Sequence, residues 1–218
     1  MGWFKKWTWL KERKKWLRNK KKTFLIVCEW KNTEPSYFDK FNISTIDIEI
    51  VWTWYNTIKI IDEALEKSKK YEYDEIWCVF DADPKPSNPT QISNFNNAIF
   101  KWNKLWFWIA YSNQAFEYWL LLHFEDHQWW WMNRKDYNKK LNSYLKPLNI
   151  KYDWKTNKII NQNFFDVLYG SSEIAIKRAK KIYELFRKTN WKCTNPWSEE
   201  SSTTVYLLVE KILKEERN

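Results

Sequence analysis

Residues 23–29, T-F-L-I-V-C-E, constrain the chain more than any other stretch. Phe24 to Cys28 are apolar without a polar alternate, as in a strand covered on both faces, the situation found in parallel sheets. Parallel strands need long crossover connections, usually helices. The sequence supplies them. Thr33 can cap a helix with Pro35 in its first turn. T-I-D-I-E-I-V alternates apolar and polar, as a half-exposed or edge strand does. Asn56 and Thr57 open an amphipathic helix, and E-I-W-C-V-F-D is a third strand ending in Asp81. A helix around residues 91–101, the strand F-W-I-A-Y-S and the helix Q-A-F-E-Y-W-L-L-L-H-F follow. Residues 23–125 thus read strand–helix four times, which predicts an α/β fold: a mostly parallel four-stranded sheet flanked by helices. From residue 132 the pattern is helical, in N-R-K-D-Y-N-K-K-L-N-S-Y-L, S-E-I-A-I-K-R-A-K-K-I-Y-E-L-F-R and S-S-T-T-V-Y-L-L-V-E-K-I-L-K-E-E. Residues 126–218 are expected to form a helical C-terminal extension of the same domain, and residues 1–22 a basic N-terminal arm.

The turns of this scheme raise a question of composition. Tight strand-to-helix turns favour Gly, which alone takes φ > 0 without steric cost, yet Trp30 stands in the first of them. The chain has 18 Trp and 2 Gly in 218 residues, where ordinary usage of about 7% would give roughly 15 Gly. Trp52 and Trp54 bracket the turn after the second strand, Trp102 sits where a C-cap Gly is usual, and Trp129, Trp130 and Trp131 replace a Gly-rich loop. Only Trp77 and Trp119 lie in well-packed apolar patterns. The positions point to glycines in the living protein at many of these sites, encoded by UGA codons that some bacterial lineages read as Gly. UGG codons at positions 30, 52 and 54 would overturn that reading in favour of a Trp-rich stacking surface.

A formal charge of +10, from 37 basic and 27 acidic residues, favours a polyanionic partner, nucleic acid first. Cys28, Cys78 and Cys193 form no C-x-x-C pair, so neither a zinc ribbon nor a disulfide framework is indicated. Cys28 and Cys78 are expected as buried small hydrophobes. No apolar run of about 18 residues and no signal-peptide core occur, so a cytoplasmic protein with no membrane association is expected. His123 and His127 lack the H-E-x-x-H order of a metal pair, and His123 is read as a buried, hydrogen-bonded side chain.

Ligands of open parallel sheets gather at the carboxyl ends of the strands. The first strand here ends in Glu29, the third in Asp81 with Asp83 two residues on, and the fourth in Ser112 and Asn113 with Glu117 a turn into the next helix. If the first and third strands are neighbours, Glu29, Asp81 and Asp83 share a crevice, where three carboxylates repel unless a cation neutralises them. Hard oxygen ligands of this kind suit Mg²⁺ or Mn²⁺, and such sites serve phosphoryl transfer or phosphodiester cleavage, with Glu29 as acid or base. Phosphoacceptor receiver domains need the reverse arrangement, an acidic pair on the first strand and a lone Asp on the third. Neither G-x-G-x-x-G nor G-x-x-x-x-G-K-[ST] occurs, even with every Trp read as Gly, so nucleotide binding of those kinds lacks support.

A Glu closing the first strand and D-x-D closing the third resemble the TOPRIM pattern. More closely, C-E-W-K-N-T-E-P, E-I-W-C-V-F-D-A-D, A-Y-S-N-Q-A-F-E-Y-W-L-L-L-H-F and N-P-W-S-E-E-S-S-T-T-V resemble the RloB family, related to AbiLii proteins, over about residues 22–213. The resemblance implies a TOPRIM-like (Rossmann-like) fold and a Mg²⁺-dependent nuclease acting on DNA or tRNA/RNA. It further implies an effector of bacterial anti-phage defence, in abortive infection or beside restriction genes, that works with a partner ATPase encoded nearby. It carries over Glu29, Asp81 and Asp83 as metal and acid–base residues, and Glu34 and Glu117 as further positions beside Ser112 and Asn113. The alternative is a non-catalytic regulatory module that binds nucleic acid or the ATPase.

Overall fold

The computed structural model describes residues 21–53, 57–82, 89–102, 107–128, 132–189 and 201–217. Strands β1 (Lys22–Cys28), β2 (Ile46–Trp52), β3 (Glu75–Asp81) and β4 (Trp108–Ser112) form one sheet in the order β2-β1-β3-β4. Every neighbouring pair is parallel. Helices α1 (Thr33–Phe38), α2 (Thr57–Lys70), α3 (Pro89–Trp102) and α4 (Phe116–Leu122) alternate with the strands. Beyond them come α5 (Arg134–Leu145), a 3₁₀ turn at Lys146–Leu148, α6 (Gln162–Gly170), α7 (Ser172–Thr189) and α8 (Val205–Glu216). The α/β alternation expected from residues 23–125 is therefore present, with the alternating segment Ile46–Trp52 on the sheet edge.

The apolar run of β1 is buried because the sheet is covered twice. Phe24, Ile26 and Cys28 face a large core that includes Phe38 of α1, Trp119 of α4, Leu141 of α5 and Val209 of α8. Leu25 and Val27 face a smaller core with Ile60 and Ile61 of α2 and Phe95 of α3. Successive strand residues point to opposite faces, so each core receives one parity of β1 and β3. All five β1 residues from Phe24 to Cys28 are fully buried, and Phe24, Leu25, Ile26 and Val27 each contribute about 1.5–3 kcal/mol. With α1 on one face and α2 and α3 on the other, the chain reverses direction between β1 and β3. That reversal opens a crevice at the carboxyl ends of these two strands.

Three local expectations change. Thr33 does not cap α1: it is the first helical residue, the N-cap position is Asn32, and no side chain caps it. The Thr33 hydroxyl instead meets Tyr152. Helix α6 was not expected; Asn161 caps it by accepting the Phe164 amide at 2.9 Å, a signal present in N-Q-N-F-F. Ser201–Thr204, read as the start of the last helix, lies outside it, and Thr203 bridges Ser112 antiparallel. The Thr204 amide donates to the Tyr111 carbonyl at 2.8 Å, and the Thr204 hydroxyl accepts the Tyr111 amide at 2.9 Å. The open edge of β4 needs such partners.

Trp77 and Trp119 are buried, as expected. Trp30 and Trp52 project outward, 42% and 47% exposed. Among the described residues φ is positive only at Asn149 and Ser201, so the backbone at Trp30 and Trp52 makes no left-handed demand for Gly. Outward projection lets both rings be accommodated. Trp102 ends α3, where a C-cap residue was expected. Trp54, Trp129, Trp130, Trp131, Cys193 and residues 1–20 of the basic arm lie outside the described residues.

Candidate active site

Because β1 and β3 pair in parallel, Glu29 and Asp81 end side by side. The Glu29 amide donates to the Val79 carbonyl at 3.1 Å, and its Oε2 accepts the Asp81 amide at 3.4 Å. Asp81 is 3% exposed. The first turn of α1 adds Glu34 and the first turn of α4 adds Glu117, both 3% exposed. A cavity of about 420 Å³ opens here, lined by Glu34, Asp81, Glu117, Arg134, Lys158 and the exposed Trp30, among others. Glu29 is half-buried and is not part of the lining.

Arg134 ties the acids together. Its Nη2 donates to Asp81 Oδ2 at 2.7 Å. Its Nε lies 3.3 Å from Glu117 Oε2, close enough for charge attraction but outside hydrogen-bond alignment. Tyr152 donates its phenol proton to Glu117 Oε1 at 2.8 Å. Burial and the Glu117 carboxylate hold that phenol well above its ordinary pKa, so it stays a donor. Thr33 Oγ1 is 3.3 Å from the Tyr152 oxygen; with the phenol proton committed to Glu117, the threonine hydroxyl is the donor. The result is a chain from α1 through Tyr152, Glu117 and Arg134 to the end of β3.

The charges are unequal. Burial pushes the Asp81 carboxyl well above its usual range, Arg134 opposes the rise, and Glu34 and Glu117 add to it. Burial likewise raises Glu34 to about 7, with Arg134 and the helix backbone pulling it down and Glu117 and Glu29 pushing it up. Asp81 Oδ1 is buried without a well-aligned hydrogen-bond partner, the Phe116 amide offsetting only a little of the carboxyl's burial, so the site keeps an unsatisfied hard oxygen. A buried carboxylate oxygen of this kind is a hard ligand, and Asp81 and Glu29 are the described residues that would hold a divalent cation there. Among the described residues no group of three or more His, Cys, Asp or Glu is spaced to hold a metal ion. Asp83 lies outside the described residues.

Ser112 and Asn113 sit apart from the cavity lining. Ser112 Oγ is 3.1 Å from Thr203 Oγ1, and the Asn113 amide donates to the Ser202 carbonyl at 2.9 Å. Both hold the 201–204 segment. His123 is buried, its Nδ1 3.0 Å from the Trp119 carbonyl, and burial lowers its pKa to about 4. His127 lies outside α4 and pairs with Glu125 Oε1 at 3.2 Å. Cys28 and Cys78 are buried free thiols, raised in pKa by burial. A larger groove of about 710 Å³ lies between α7 and α8, lined by Lys177, Lys180, Leu207, Lys211 and others. It brings no buried carboxylates together, so the smaller cavity carries the chemistry. Arg134, Tyr152 and Lys158 were not singled out in the sequence: no spacing rule links Arg134 to Asp81 across 53 positions.

The family model described as RloB-like protein matches residues 24–212. The chain belongs to the RloB-like family. The matched RloB-like region includes Glu29, Glu34, Asp81, Glu117, Arg134 and Tyr152. Neither the curated proteins nor the solved structures contain a match to the chain. No described helix is long and apolar enough to cross a membrane.

Proposed function

We propose that this RloB-like protein is a metal-dependent, TOPRIM-type phosphodiesterase that cuts nucleic acid. In this reading it is an effector of bacterial anti-phage defence that works with a partner ATPase. The observation that carries the proposal is the buried, unsatisfied Asp81 Oδ1 in a cavity shared with Glu34 and Glu117, at the carboxyl ends of β1 and β3. Carboxylates gathered in this way call for a cation, and Mg²⁺ or Mn²⁺ suits them. The chemistry such a cation supplies is Lewis-acid polarisation of a phosphoryl oxygen. Asp81 and Glu29 would hold it, together with Asp83. Glu29, half-buried beside Asp81, would take a proton from the attacking water. Glu34, raised towards neutrality, can hold or release a proton at the leaving side. The net charge of +10 supports a nucleic-acid substrate.

A second reading is a non-catalytic module that binds nucleic acid or regulates the ATPase. Arg134, already engaged with Asp81 and Glu117, favours it, because an internal cation can neutralise the acids unaided. Incubation with DNA and RNA substrates under Mg²⁺, Mn²⁺ or EDTA, with and without the neighbouring gene product, separates the two. Cleavage that needs the divalent ion and disappears with Asp81→Asn supports the first reading. Binding without cleavage under every condition selects the second.

A further inference from the structure

Arg134 is the one well-fixed cation of the cavity among the described residues, and the docking of its helix does not account for its placement. Helix α5 already docks through Tyr137, Leu141 and Leu145, all fully buried. Apolar burial on that scale anchors a helix, so the docking of α5 does not require a tether from its first residue to the sheet; what Arg134 adds is charge beside the buried acids. Yet considerable structure is devoted to Arg134. Asn133 fixes the start of the helix by accepting the Asp136 amide at 3.0 Å, placing Arg134 at the positive end of a 12-residue helix. Asp81 accepts a hydrogen bond from Nη2, and the Glu117 carboxylate lies 3.3 Å from Nε. Glu117 is in turn held by Tyr152 and, through it, by Thr33. Despite these contacts the Arg134 side chain remains 20% exposed and lines the cavity beside Lys158.

A phosphodiester entering this cavity meets Glu34, Asp81 and Glu117 with Glu29 beside them, a field that repels it. Some positive group must offset that repulsion at the phosphate itself. A guanidinium suits this better than an ammonium, since its planar fork matches two phosphate oxygens at once. Carboxylates behind an arginine orient the fork while keeping it charged. Lys158 contributes a second positive charge to the lining.

Resting on the nuclease reading above, we infer that Arg134 is the phosphate-binding residue of the site: it receives a backbone phosphate of the nucleic-acid substrate, with the Thr33–Tyr152–Glu117 chain as its positioning apparatus.

The test is oligonucleotide binding by fluorescence anisotropy, using short single-stranded and duplex DNA and RNA in EDTA and in Ca²⁺, over a range of salt. Arg134→Lys keeps the charge and loses the fork; Arg134→Gln loses both. Arg134→Lys is expected to melt close to the parent and to bind about tenfold more weakly, the scale of one lost charge-assisted contact. Arg134→Gln is expected to bind more weakly still and to reduce the slope of log K against log salt by about one. Lys69→Gln, which removes an exposed charge from α2, controls for net charge and should leave affinity unchanged. If the parent binds and both Arg134 variants match it in affinity and salt slope, Arg134 is a structural counter-ion and the inference is overturned while the nuclease reading stands. The inference is overturned in the same way if Arg134→Gln only tightens Ca²⁺ binding. A parent that neither binds nor cleaves, even with its partner present, defeats the nuclease reading and this inference with it.

Discussion

The two ends of the sheet both collect acidic side chains, and they treat them differently. At the amino end, Lys21 pairs with Asp47 at 3.0 Å, Lys22 with Glu215 at 2.7 Å and Lys211 with Glu75 at 2.6 Å. Asp74 Oδ2 accepts the Thr23 amide at 2.7 Å. Each acid there has a local partner, and most of the lysines reach solvent. At the carboxyl end, Glu34, Asp81 and Glu117 are almost fully buried, and only Asp81 and Glu117 reach the guanidinium of Arg134, leaving Asp81 Oδ1 unsatisfied. A fold gains nothing from gathering buried like charges around one cation, since each desolvated carboxylate costs several kcal/mol before pairing. Charge balance marks the amino end as architecture, and charge imbalance marks the carboxyl end as a site.

The contrast can be broken most severely at the chemistry. Asp81→Asn and Glu29→Gln are each expected to lower cleavage by about 10²–10⁴-fold, measured as initial rates on a labelled nucleic acid under Mg²⁺. Both should fold, because removing one of several repelling carboxylates relieves the metal-free site. Full activity in the double variant would make the carboxyl end as structural as the amino end.

Stability provides the next comparison. Arg134→Ala strands two buried carboxylates and should cost about 3–5 kcal/mol in chemical denaturation. Partial protonation of Asp81 and Glu34 would bring the loss towards the lower figure.

Glu34 sharpens the comparison through pH. Its pKa is raised from 4.5 to about 7 in the folded chain, so between those values the folded form holds a proton that the unfolded chain has released. The stability linked to that proton is present below 4.5 and lost as pH rises through 7. A gap of that size corresponds to on the order of 3 kcal/mol. Glu34→Gln should therefore be more stable than the parent by that order above about pH 8 and should converge with it below about pH 4. Parallel melting curves across the range would show that Glu34 titrates as an ordinary exposed acid.

The smallest effect belongs to the amino end. Lys21 and Asp47 are 48% and 62% exposed, and Lys21→Ala should cost no more than about 1 kcal/mol, less at high salt. A loss comparable to that of Arg134→Ala would erase the distinction between the ends.

Much of the site was legible because strand ends are readable. The run to Cys28 and the run to Asp81 stop at acidic residues, and parallel pairing brings their ends together. Glu117 stood one turn into the helix after the fourth strand, where a first-turn carboxylate returns to the same edge. Ser112 and Asn113 satisfied the same rule yet serve the 201–204 segment, because β4 is an outer strand whose open edge needs partners. Trp30 invited a Gly reading through its turn position, but the turn is made without positive φ. Arg134 carried no signal: it is one of 37 basic residues, and its approach to Asp81 depends on how α5 docks against α4.

The sequence by itself determined the α/β alternation and the acids that close β1 and β3. Periodicity and burial of a strand are local properties, written in neighbouring residues, and a parallel sheet has few ways to arrange them. Only the tertiary structure decided the counter-charge. The path from Thr33 through Tyr152, Glu117 and Arg134 to Asp81 joins separated segments of the chain, and each link is a contact of a few ångströms created by helix docking. Electrostatic energies at such distances depend on burial and orientation, which no spacing along a chain encodes.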